Sequence, residues 1–123
     1  MFSWFWIYML IMDIIIPLTM IGFGRAFMKK APGKINDAFG YRTRRSMKNR
    51  ETWEYAHKYF GRLWFLGGSV LLPLSVIAML FVRGGDHDRI GVFGAVLMAV
   101  QMLFMIGAIF PTERALKKEF DEE

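Results

Sequence analysis

The chain predicts an all-α membrane protein: three transmembrane helices, with an amphipathic cytoplasmic helix ahead of the second span. Three observations predict it. More than half of the 123 residues are hydrophobic, and they are gathered into three blocks rather than scattered. Each block matches the roughly 20 helical residues that cross a bilayer core. Most of the basic charge lies in one segment between the first two blocks. A soluble domain of this size has too little interior to hide ten Met and twelve Phe.

The first span, residues 2–23, carries a single charge, Asp13, followed by Pro17. It lacks the basic start of a cleavable signal peptide and is followed at once by basic residues, so it reads as a retained helix. The second span, 63–82, and the third, 90–110, carry no charge. Helices are expected because unpaired backbone groups in lipid cost several kcal/mol each. Gly91, Ala95 and Ala99 recur every four residues and predict a close-packing face on the third helix.

Orientation follows from Lys and Arg. Residues 24–62 hold eleven of the sixteen, Arg83 and Arg89 flank the short second loop, and Arg114, Lys117 and Lys118 follow the third span. A cytoplasmic long loop puts fourteen inside and two outside, with the N-terminus outside and the 111–123 tail inside. Trp4, Trp6 and Tyr8 then form an outer aromatic belt, and Trp64 marks the inner end of the second helix. The net charge of +5 faces anionic lipid headgroups rather than nucleic acid. With no cysteine there is neither disulfide nor thiolate chemistry.

Within the long loop, Pro32-Gly33 stops any extension of the first helix, and Gly40 suits a turn with positive φ. Asn49 is placed to cap a helix beginning at Arg50, with Glu51 in its first turn. Trp53, Ala56, His57, Phe60 and Trp64 share one face of that helix. The expectation is an amphipathic helix at the inner surface, bending near Gly61 into the second span.

Pro32, Ile35-Asn36, Gly40-Tyr41-Arg42-Thr43, Ser46-Met47, Trp53, Ala56 and Gly61, with Pro111-Thr112-Glu113, Leu116 and Phe120 in the tail, resemble the signature of the SdpI/YfhL family of small bacterial membrane proteins. The resemblance covers about residues 24–120 and implies one membrane domain over 1–123, in the bacterial plasma membrane. It also implies immunity to a secreted peptide toxin, and in one member the tethering of a transcriptional repressor. Longer members carry further N-terminal membrane segments.

Two groups of residues are candidate sites. The first is the loop: Asn36, Gly40, Tyr41, Arg42, Thr43, Ser46, Trp53 and His57, with Arg42 pairing to Glu51 or Glu113 and so drawing loop to tail. Its other basic residues read as lipid contacts, and His57 as a packed residue. The second is a mid-membrane polar set. Pro17 frees the carbonyl of Asp13, Pro73 frees that of Ser69, and Gln101 lies at the depth of Asp13. The set reads either as interhelical glue, a protonated Asp13 bonded to Gln101, or as a site for a proton, cation or polar ligand group. Asp86-His87-Asp88 reads as a solvated turn rather than a metal site.

No enzyme motif, metal spacing or cofactor loop appears, so neither catalysis nor a cofactor is expected. The leading function is immunity or stress response, through binding of a membrane-active peptide or a cytoplasmic partner. The alternative is an oligomeric transporter or channel subunit built around Asp13 and Gln101. A lipid-headgroup enzyme using His57 and Glu51 lacks a second base.

Overall fold

The computed structural model describes residues 3–31, 33 and 40–120. They form four helices: α1 (Trp4–Lys29), α2 (Arg50–Leu80), α3 (His87–Gly107) and α4 (Ile109–Phe120). Among the described residues, three helical stretches are long and apolar enough to cross a membrane: α1, α2, and α3 with α4. The protein is an all-α, multi-pass membrane protein. Large apolar side chains such as Leu18, Val70, Leu103 and Phe110 stay exposed on the outside of the bundle, as lipid requires.

α1 begins at Ser3, whose hydroxyl accepts the Trp6 N–H at 3.0 Å. It continues past residue 23, the expected end of the first span, to Lys29, since no breaker intervenes before Pro32. The extra turns bring Phe27 into a buried cluster with Tyr41, Ala56, Phe60 and Leu116. α2 starts at its predicted cap: Asn49 and Thr52 each bond the other's backbone N–H. From there the helix runs unbroken through Gly61. The surface helix and second span expected from the sequence are therefore one helix of 31 residues. At about 46 Å it exceeds a hydrocarbon core of about 30 Å, so its polar first third stands outside the charge-free stretch beginning at Leu63. The face bearing Trp53, Ala56, His57 and Phe60 is covered by protein rather than offered to the membrane.

Gly61 serves a contact. A Cβ there would stand 2.6 Å from the Gly24 carbonyl oxygen, and one on Gly24 would stand 2.6 Å from that of Gly61. One helical heptad further along, a Cβ on Gly68 would lie 2.7 Å from the Pro17 oxygen. The backbones of α1 and α2 thus touch along a seam that admits no side chain. α3 meets α1 through Gly94, against Met9 and Asp13, while Ala95 and Ala99 of the expected packing face are exposed.

At the end of the bundle away from the loop, Trp6, Met9, Met79, Val82 and Ile90 form a second buried cluster. Trp6 does not join the aromatic belt, being only 3% exposed with its indole N–H donated to the Met79 carbonyl at 2.7 Å. Trp4 and Tyr8 share the outward face, and Trp6, two residues from each, points the other way. The tail from residue 111 is helical through Phe120, as part of α4. α3 stops at Ala108 because Pro111 offers no N–H to the Gly107 carbonyl.

Gly61→Leu should lower stability by roughly 1–3 kcal/mol through overpacking of the seam. Gly22→Leu, where a Cβ meets nothing within 4 Å, should be close to neutral. Thermal unfolding in lipid nanodiscs reads the difference.

Candidate functional site

The loop is held by a carboxylate from the other end of the chain. Tyr41 donates its phenol to Glu113 Oε2 at 2.5 Å, and Thr43 donates its hydroxyl to the same oxygen at 2.7 Å. The Arg45 guanidinium stands 3.6 Å from Oε1. Burial, then the bond and charge of Glu113, push the Tyr41 phenol above its ordinary range, with Thr43 opposing, so it remains a donor. Glu113 occupies this place because the break at Ala108 starts α4, whose buried Leu116 clusters with Ala56 and Phe60 of α2. Arg42 is exposed and lines a cavity, and Glu51 is exposed in the first turn of α2.

Inside the loop, Gly40 takes a φ of 104°, which an L side chain rarely adopts. This turns Tyr41 inward. Ser46, fully buried, donates to the Tyr41 and Thr43 carbonyls and accepts the Thr43 N–H at 2.8 Å. Thr52 in turn donates to the Ser46 carbonyl at 3.1 Å, tying the turn to the start of α2. Arg50 donates to the Gly33 carbonyl and pairs with Glu54 at 2.7 Å. Asn36 lies outside the described residues.

His57 is the pillar beneath the turn. Its Nε2 accepts the Tyr41 backbone N–H at 2.8 Å, and Nδ1 lies 2.8 Å from the Trp53 carbonyl. An acceptor Nε2 requires the neutral tautomer with the proton on Nδ1. Burial lowers the His57 pKa, opposed by the bond to Trp53. Both ring nitrogens serve backbone groups, so the imidazole has neither lone pair nor proton to spare for general acid–base work.

Gly40, Tyr41, Arg42 and Thr43 roof a cavity of about 410 Å³. Its walls are Thr19, Phe23 and Phe27 of α1, Phe60 and Trp64 of α2, and Ile109 of α4. Trp64 is fixed by donating its indole N–H to the Met105 carbonyl at 3.0 Å. The sequence pattern did not single out this cavity, because its roof and walls come from four separate segments of the chain.

A second polar cluster lies in the middle of the helices. The Asp13 carbonyl freed by Pro17 accepts Gln101 Nε2 at 2.7 Å, and the same amide nitrogen donates to Ser75 Oγ at 2.6 Å. All three residues are fully buried. Ser69 takes no part. It is exposed, since six residues of helix turn it well away from the face of Ser75. The one sequence signal for Ser75 is that it is a hydroxyl in a charge-free span two residues beyond Pro73. At the opposite end of the bundle, Asp86 caps α3 through the Arg89 N–H at 2.8 Å, and His87 packs on Phe5.

The SdpI/YfhL protein family model matches residues 33–112, a range containing the cap, the turn and His57. This chain belongs to the SdpI/YfhL family. It is 30% identical over 90 residues to "Uncharacterized protein YfhL" of Bacillus subtilis (strain 168), covering 70% of this chain and 68% of that one. No solved structure matches it. Glu113 lies one residue beyond the matched SdpI/YfhL segment, and the turn inside that segment closes onto it.

Two consequences are measurable. Tyr41→Phe should cost roughly 1.5–3 kcal/mol, the range for a hydrogen bond to a charged group, and speed proteolysis at Arg44 and Arg45. Because folding buries His57 neutral while the unfolded chain takes up a proton near pH 6.5, stability should fall as pH drops below that value. His57→Gln should flatten this limb of the pH–stability profile.

Proposed function

We propose that this protein is a non-enzymatic guard of the bacterial plasma membrane, binding a membrane-active peptide in the cavity beneath its clasped loop. One observation supports the reading above others. The residues that roof the cavity belong to the segment that marks the family, while its walls are largely aromatic and aliphatic. At about 410 Å³ the cavity is of a size that takes a few large side chains or a small ligand. Arg42 at its rim suits a polar or anionic group of the bound peptide, and the rings below suit its apolar residues.

In this reading the Lys/Arg-rich loop and the C-terminal tail face the cytoplasm and the N-terminus faces outward. The cavity then lies at inner headgroup depth, where a peptide that has entered the bilayer presents both apolar and polar atoms. The clasp through Glu113 keeps the roof preformed, so little ordering entropy is lost on binding. Exposure of Arg42, Arg44 and Lys48 on the same turn favours a second use, presentation of the loop to a cytoplasmic partner.

The test is survival of cells challenged with membrane-active peptides while expressing wild type, Thr19→Phe or Glu113→Ala at equal membrane levels. Thr19→Phe fills the cavity from its wall and should abolish protection. Glu113→Ala should weaken it by releasing the roof. Protection by Thr19→Phe equal to wild type, or none from wild type against any such peptide, overturns the reading.

A further inference from the structure

The cluster between the helices has a surplus of acceptors. Asp13 Oδ1, Asp13 Oδ2 and Gln101 Oε1 are buried side-chain oxygens with no hydrogen-bond partner. The Gln101 amide nitrogen is already committed to the Asp13 carbonyl and to Ser75. Among the described residues of the three spans, nothing cationic is at hand. From Leu63 to Leu80 on α2, and from Ile90 to Gly107 on α3, no side chain is ionisable. On the membrane part of α1 the other titratable group is Tyr8, exposed and stacked on Trp4. A bare carboxylate buried in this way is strongly unfavourable, and three orphan acceptors add their own desolvation cost.

We propose that Asp13, Gln101 and Ser75 form a mid-membrane binding site for a single proton, and that this proton holds α3 in its seat against α1 and α2. On the Asp13 carboxyl, the proton removes the charge and provides the one donor that the cluster lacks. Directed at Gln101 Oε1, the new O–H satisfies that acceptor on α3 and turns one unpartnered Asp13 oxygen on α1 into a donor. The packing favours a proton over a metal ion. A Cβ on Gly94 would stand 3.1 Å from Asp13 Oδ2, so the carboxyl lies directly against the α3 backbone. A hard metal cation wants about six oxygen ligands, and the cluster offers four from side chains.

This site is separate from the cavity under the loop and does not depend on what binds there. Its substitutions have clear meanings. Asp13→Asn keeps the shape and supplies a permanent N–H donor, so it stands in for the loaded state. Asp13→Ala leaves Gln101 Oε1 without any donor.

The experiment uses the full chain in lipid nanodiscs. Infrared spectra at neutral pH should show the C=O stretch of a protonated carboxyl in wild type that shifts on carbon-13 labelling of aspartate and is missing from Asp13→Asn. The labelling arm needs no variant to fold. Thermal unfolding should give Asp13→Asn a midpoint at or above wild type and Asp13→Ala one lower by several degrees. From neutral to strongly alkaline pH, wild type should lose stability relative to Asp13→Asn. Absence of the protonated band overturns the proposal, as do parallel pH profiles for wild type and Asp13→Asn. Stabilisation of wild type alone when sodium replaces choline overturns it in favour of a metal site.

Discussion

No water reaches the centre of a bilayer, so a backbone carbonyl released there by a proline or a helix end must find its donor inside the protein. Gln101 meets this demand at the Asp13 carbonyl, and with two indole N–H donors at the ends of the bundle it closes a cycle. Trp6 of α1 donates to the Met79 carbonyl of α2, Trp64 of α2 to the Met105 carbonyl of α3, and Gln101 of α3 to the Asp13 carbonyl of α1. Each helix gives one N–H to the next and receives one in return. Apolar contacts between helices carry little preference over lipid, so these bonds and the glycine seam define how the three helices are arranged.

The cycle also divides the bundle into levels. Trp6 closes one end and Gln101 the middle. Trp64 closes the end where the loop docks, and there it becomes a wall of the cavity. The loop adds its own polar chain on top, from Thr52 through Ser46 and Tyr41 to Glu113 on one side and His57 on the other. Glycines at 24, 61 and 68 bring α1 and α2 into backbone contact, placing Phe27 of α1 edge-on to His57 at a ring separation of 4.9 Å. The rigidity of the turn is therefore inherited from the membrane part below it.

Much of this was legible in the residues. Block hydropathy gave the three spans, Asn49 was recognisable as a cap, and Gly40 as a positive-φ turn, because each is decided by local chemistry. Pro17 announced a free carbonyl beside Asp13. What could not be read was which partner would meet each freed group. Ser69 and Ser75 are equally polar on paper, and only the rotation of α2 against α3 selects the second. Trp6 looked like its neighbours at 4 and 8 until packing turned it inward. The surface helix before the second span had the right periodicity, but its apolar face had a protein neighbour to meet rather than a membrane. Pairwise placement of helices is a tertiary outcome, and local pattern is silent on it.

The clasp also imposes an order on biogenesis. Tyr41 and Glu113 are separated by 72 positions, with two membrane passages between them. During synthesis the loop emerges early and its carboxylate partner late, after α3 has entered the bilayer. The turn therefore closes only once the last helix is delivered to the correct side. A nascent chain that stalls or inserts α3 the wrong way leaves the turn without its Glu113 partner. The contact thus makes a finished topology distinguishable from an unfinished one, using a single acidic side chain as the signal.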